Sequence, residues 1–148
     1  LIERLRDCKG GVTAVGTTSV RTLESLYYLG LHCIQKGEPG EVSQWEAYED
    51  HIDASFVEAM DALISYMDSK GLERLYSGTR IIIVPGFRFR VVDRLITNFH
   101  QPQSTLLLLI SAFVGGDWKS IYNYALDNGF RFLSYGDSSL LHRSGCRE

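Results

Sequence analysis

Val12-Thr13-Ala14-Val15 is a short apolar run that breaks at Gly16-Thr17-Thr18-Ser19. The residues after it, Val20, Leu23, Tyr27, Leu31 and Ile34, recur on one helical face. A buried strand, a tight turn and a helix in that order open an α/β unit. On the N-terminal side, Leu1 to Lys9 reads as the end of a helix stopped by Gly10-Gly11. On the C-terminal side, Ser55 and Glu58 have capping-box spacing, and Phe56, Met60, Leu63 and Met67 line one face of a helix that Gly71 ends. Arg80 to Val84 is a continuous apolar run stopped by Pro85-Gly86, the pattern of a strand covered on both faces. Phe87 to Val92, Leu95 to Phe99 and Phe130 to Tyr135 are further strand candidates. Between the last two, Ser104 or Thr105 caps a buried helix through Phe113, and Asp117 caps another through Asp127. The alternation predicts a layered α-β-α sandwich with a mostly parallel sheet. Gln35 to Asp50 is its least regular part, and His142 to Glu148 reads as a polar tail.

The chain has 148 residues, 45% of them hydrophobic, enough for one domain with a core of its own. Its 15 basic and 18 acidic residues give a net charge of −3, which excludes a strongly basic nucleic-acid module but not a local basic face. Cys8, Cys33 and Cys146 are odd in number and contain no Cys-x-x-Cys, so neither a disulfide framework nor a zinc site is indicated and a reducing cytoplasm fits. The apolar run Leu106 to Val114 is far short of the roughly 20 residues of a membrane span. The first residue is Leu, not Met, so the expectation is a processed, truncated or partial chain.

Four constellations could carry chemistry. Gly16, Thr17, Thr18 and Ser19 stand at a helix start, where free amides and the dipole favour an anion, and Arg21 could add a bidentate hold on a carboxylate or phosphate. Ordinary helix capping is the alternative. Arg88 and Arg90, placed on one face of a strand, put two guanidinium groups side by side, either for phosphate or as a solvated edge paired to Asp93 or Glu73. Thr97-Asn98-Phe99-His100 lies where a strand ends before a helix, the usual ligand position in α/β folds. There His100 could serve as acid or base and Asn98 could read an amide or base edge, or both could satisfy loop backbone. At Ser134-Tyr135-Gly136-Asp137, Tyr135 could stack on a base and Asp137 could orient a hydroxyl, an amine or His100. A capped turn is the alternative.

These residues resemble a known family. Ala14-Val15-Gly16-Thr17-Thr18-Ser19-Val20-Arg21-Thr22-Leu23-Glu24-Ser25 is similar to a signature of the S-adenosylmethionine:tRNA ribosyltransferase-isomerases. So are Pro85-Gly86-Phe87-Arg88-Phe89 with Val91-Val92-Asp93, and Thr97-Asn98-Phe99-His100 with Pro102, Ser104 to Leu107 and Ser111 to Phe113. Arg131-Phe132 with Ser134-Tyr135-Gly136-Asp137 completes the series, in the family's order. The resemblance implies a step of queuosine synthesis. The ribosyl part of S-adenosylmethionine is moved onto 7-aminomethyl-7-deazaguanine in tRNA and rearranged to epoxyqueuosine, and adenine and methionine leave. It implies S-adenosylmethionine as co-substrate, no metal or redox cofactor, and no membrane. It further implies that residues 1–141 are the C-terminal portion of the main α/β domain, that an N-terminal part of the same protein is missing, and that this chain alone is inactive. Gln101, Ser138-Ser139 and the segment 35–78 depart from the family pattern and mark a diverged branch.

The chemistry implied by the resemblance needs a base for a ribose C5′ proton made acidic by the sulfonium. It also needs a donor for departing adenine, and donors for the methionine carboxylate and the tRNA phosphates. The expected roles are acid-base work for His100, with Asn98 and Asp137 positioning substrate. Gly16, Thr17, Thr18, Ser19, Arg21, Thr97 and Tyr135 bind substrate, and Arg88 and Arg90 meet the tRNA backbone. A non-catalytic tRNA- or nucleotide-binding α/β module is the alternative.

Overall fold

The computed structural model describes residues 1–101 and 104–143. Pro102, Cys146 and the rest of the expected tail beyond Arg143 lie outside the described residues. Strand β1, Thr13–Val15, pairs in parallel with β2, Arg94–Asn98, in register Ala14 to Leu95. Strand β2 then pairs antiparallel with β3, Ser138–His142, so that Asn98 faces Ser138 and Arg94 faces His142. The sheet is a small mixed one of order β1-β2-β3, not a mostly parallel one. The reversal arises in the turn before β3. There Asp137 N–H donates to the Arg131 carbonyl at 2.8 Å and sends the chain back from the end of β2.

Among the described residues, five α-helices accompany this sheet: α1, Ile2–Arg6; α2, Thr17–Lys36; α3, Phe56–Ser69; α4, Thr105–Phe113; and α5, Trp118–Asp127. The capping box of α3 forms as the spacing predicts: Glu58 N–H donates to Ser55 Oγ at 3.2 Å and Ser55 N–H to Glu58 Oε2 at 2.7 Å. Ser104 Oγ caps α4 through Leu106 N–H at 3.1 Å, whereas the Asp117 side chain makes no cap on α5. The expected apolar face of α2 holds at Val20, Tyr27 and Leu31, which are buried, and ends before Ile34, which is exposed.

Three expected strands are absent, each because its backbone is spent elsewhere. In 80–84, Arg80 and Ile82 N–H donate to the Val42 and Gln44 carbonyls, both at 3.0 Å. The run therefore lies against two residues of the irregular segment rather than in the sheet. Its Ile81 and Ile83 are buried all the same. In 87–92, Phe87, Phe89, Val91 and Val92 are buried, but the amides of Arg90, Val91 and Val92 go to the carboxylate of Glu24. In 130–135, Leu133 has φ of 71° and closes a turn. β1 is an edge strand with Val15 66% exposed, not a strand buried on both faces.

The segment 35–78 belongs to the core. Helix α3 crosses α2 so closely that a Cβ on Gly30 would lie 2.3 Å from the Ala59 carbonyl oxygen, and Met60 and Leu63 are fully buried. A buried His32 on α2 fastens the loop before α3. Its Nδ1 donates to the Pro39 carbonyl at 2.6 Å, and its Nε2 meets Glu46 Oε1 at 2.5 Å. Glu46 Oε2 in turn accepts Ser43 N–H at 2.8 Å. His142, expected in a tail, closes β3, and Arg143 donates to the Phe89 carbonyl and to Asp93 Oδ1 at 2.8 and 3.0 Å.

Candidate active site at the C-terminal end of β2

Gly16 joins β1 to α2 with φ of 85°, a left-handed value that suits a residue without a side chain. Its N–H donates to the Ile96 carbonyl at 2.8 Å, which sets the start of α2 beside the end of β2. No side chain caps the first turn of α2, so the amides around Thr17, Thr18 and Ser19 form the positive end of a 20-residue helix. Ser19 Oγ donates back to the Val15 carbonyl at 2.7 Å and does not point onward as an anion ligand. Arg21 is also engaged elsewhere: Nε and Nη2 both donate to the Ile81 carbonyl, at 2.9 and 2.5 Å. It ties α2 to the 80–84 run instead of reaching an anion at the helix start.

At the end of β2, Thr97 is 6% exposed and its Oγ1 lies 3.0 Å from His100 Nε2. The backbone N–H of His100 donates to the Tyr122 hydroxyl at 3.0 Å. Partial burial lowers the pKa of His100 below the usual 6.5, which keeps the ring neutral and able to accept a proton at pH 7. Asn98 donates to the Asp137 carbonyl and to Ser138 Oγ, both at 3.4 Å. The Asp137 carboxylate accepts Arg131 N–H at 2.7 Å, and this bond holds its pKa below the ordinary carboxylate value. The structure thus sets Gly16 beside the end of β2, where Thr97 meets His100 and Asn98 reaches the Asp137 backbone. Its carboxylate is used in closing the turn that presents Tyr135, which is 98% exposed.

Arg88 and Arg90 lie elsewhere. Arg88 is exposed, while Arg90 is half-buried with its guanidinium carbon 4.8 Å from the centre of the Tyr27 ring. Both line one cleft, but on a loop and not on a strand.

Residues 1–141 match the family described as Queuosine biosynthesis protein. The chain belongs to this family. The S-adenosylmethionine:tRNA ribosyltransferase-isomerase of Acidiphilium cryptum is 35% identical over 145 residues, 97% of this chain and 31% of that protein. The one from Brucella ovis is 40% identical over 135 residues, 90% of this chain and 26% of that protein. Among solved structures, S-adenosylmethionine tRNA ribosyltransferase from Thermotoga maritima aligns with TM-score 0.53 and 29% identity, over 94% of this chain and 35% of that one. This queuosine-biosynthesis chain therefore spans about a third or less of the curated relatives it matches. No helix among the described residues is long and apolar enough to cross a membrane.

Sequence reasoning missed Tyr122, which meets His100 at the site, and Glu24 and Arg143, which hold the loop before β2. Glu24 carried a signal, since an acid four residues after Val20 and three before Tyr27 falls on the buried face of α2. Tyr122 and Arg143 carried none, because their partners at His100 and Asp93 are 22 and 50 residues away.

Proposed function

We propose that this chain is the C-terminal portion of the main domain of an S-adenosylmethionine:tRNA ribosyltransferase-isomerase. It would work in the cytoplasm on tRNA carrying 7-aminomethyl-7-deazaguanine and form epoxyqueuosine with release of adenine and methionine. The observation that carries this reading is the match over residues 1–141, with Thr97, Asn98 and His100 at the end of β2 beside Gly16. His100 takes the ribose C5′ proton as base, with Thr97 Oγ1 orienting its ring. Asn98 and Asp137 position substrate, and Tyr135 offers an exposed ring to an unstacked base. The amides around Gly16, Thr17, Thr18 and Ser19 receive a carboxylate or phosphate. Arg21 supports that turn from behind, through Ile81.

The test is adenine release by a full-length protein that includes this chain, with and without His100→Ala. A loss of 100-fold or more in turnover is expected, and near-normal turnover rejects the base assignment. The second reading, a non-catalytic tRNA- or nucleotide-binding module, draws on the short coverage of the relatives. It predicts S-adenosylmethionine or tRNA binding without adenine release even in the full-length context.

A further inference from the structure

A second cleft lies midway along α2, away from the site above. Tyr27 is ten residues beyond Thr17, about 15 Å along the helix axis. The cleft has a volume of about 230 Å³, smaller than a drug-sized pocket. Arg88 and Arg90 enter it from the loop after Pro85, and Glu49, Asp50 and Asp53 from the loop before α3, with Tyr27 forming a wall. Arg90 is fixed twice: Glu24 holds its backbone N–H at 2.8 Å, and its guanidinium rests on the Tyr27 ring. Its Nε is buried with no hydrogen-bond partner. Among the described residues, these arginines and aspartates form no ion pair with one another within 4.0 Å.

Opposite charges that line one small cleft without pairing select a ligand that carries both. A phosphate chain would gain from the arginines and be repelled by the aspartates, and a simple cation would meet the reverse. We propose that this cleft binds the zwitterionic head group of an α-amino acid, its carboxylate at Arg88 and Arg90 and its ammonium at Asp50 and Asp53. The head group has two sources: a free amino acid such as methionine, or the amino-acid end of S-adenosylmethionine. The second source rests on the proposed function; the cleft's selectivity for a zwitterion does not. If the second source applies, the start of α2 is left for a phosphate.

Calorimetric titration of the chain with L-methionine, S-adenosylmethionine and 5′-methylthioadenosine, which lacks the head group, tests this. Arg90→Gln is compared with the exposed pair Asp50→Asn/Asp53→Asn, which removes two of the three opposite charges without opening the core. Binding of L-methionine that falls at least tenfold in both variants supports the proposal with a free amino acid as source. The same loss for S-adenosylmethionine supports it with the conjugated head group as source, provided 5′-methylthioadenosine is unaffected. No binding of either amino-acid ligand, binding that neither variant changes, or an equal loss for 5′-methylthioadenosine overturns it. Adenine release that is normal while the cleft fails these tests leaves the proposed function standing, so the two readings fail separately.

Discussion

Glu24 and Arg90 lie 66 residues apart, and Oε2 of the one accepts the backbone N–H of the other at 2.8 Å. Oε1 takes the next two amides, of Val91 and Val92, at 3.1 and 2.9 Å. A single buried carboxylate therefore does for three consecutive residues what a neighbouring strand would have done.

That burial has a pH signature. Removal from water pushes the Glu24 carboxyl up to about 7, although the three amide bonds act against the rise. Between pH 4.5, its ordinary value, and pH 7 the folded chain keeps a proton that the unfolded chain has released. Stability should therefore be greatest below pH 4.5 as far as this group is concerned. It should fall as pH rises through about 7 by roughly 3 kcal/mol, then level off. Urea melts of Glu24→Gln across pH 5 to 8 should lose that slope; curves parallel to the parent's would show that another group causes it.

The α2–α3 crossing leaves no room for a methyl group at Gly30, because its carbon would meet the Ala59 backbone. Gly30→Ala should destabilise the chain by about 1–3 kcal/mol, despite alanine's better helix propensity. A thermal melt at or above the parent's midpoint would mean that the helices separate at little cost.

His100, with its pKa lowered by burial, should titrate below pH 6.5. In the full-length protein, kcat/KM for adenine release should fall on the acid side of that value, and His100→Gln should remove this limb with the activity. An acid limb that persists in the variant assigns the base elsewhere.

Asp137 holds the turn before β3 through Arg131 N–H. Its pKa is depressed, so its contribution is present above about 3.8 and is lost as pH falls through the lower folded value. Hydrogen exchange should show the Arg131 amide poorly protected in Asp137→Ala and protected in the parent near neutral pH. Equal protection in both would reduce the carboxylate to a bystander.

Local signals were legible where local chemistry decides the structure. The Ser55–Glu58 box, the Gly16 turn and the strand at Leu95 to Asn98 can all be read from neighbouring residues. Expectation and structure part where apolar burial reads as sheet. Ile81, Ile83, Phe87 and Phe89 are as buried as strand residues, but Ile81 N–H donates to Thr79 Oγ1 and its carbonyl accepts from Arg21, Phe87 N–H donates to the Val84 carbonyl, and the Phe89 carbonyl accepts from Arg143. β3 was missed for the opposite reason: of its five residues only Leu141 is buried, which leaves almost no alternation to detect. At the site, the spacing placed Thr97 and His100 correctly at a strand end. It could not reveal that Arg21 is committed to Ile81, since that contact spans 60 residues.

The stretch between Gln35 and Gly78 carries none of the motifs quoted for the resemblance, which invites trimming it as a passenger. The crossing at Gly30 and Ala59, with the His32–Glu46 clasp beside it, says otherwise. Helix α2 bears on one flank the imprint of α3, and at its start the turn used by the candidate site. A chain shortened across that stretch would retain every recognisable motif while stripping the wall from the helix that carries the first of them. Sequence editing here should respect the length of the excursion as much as the letters of the motifs.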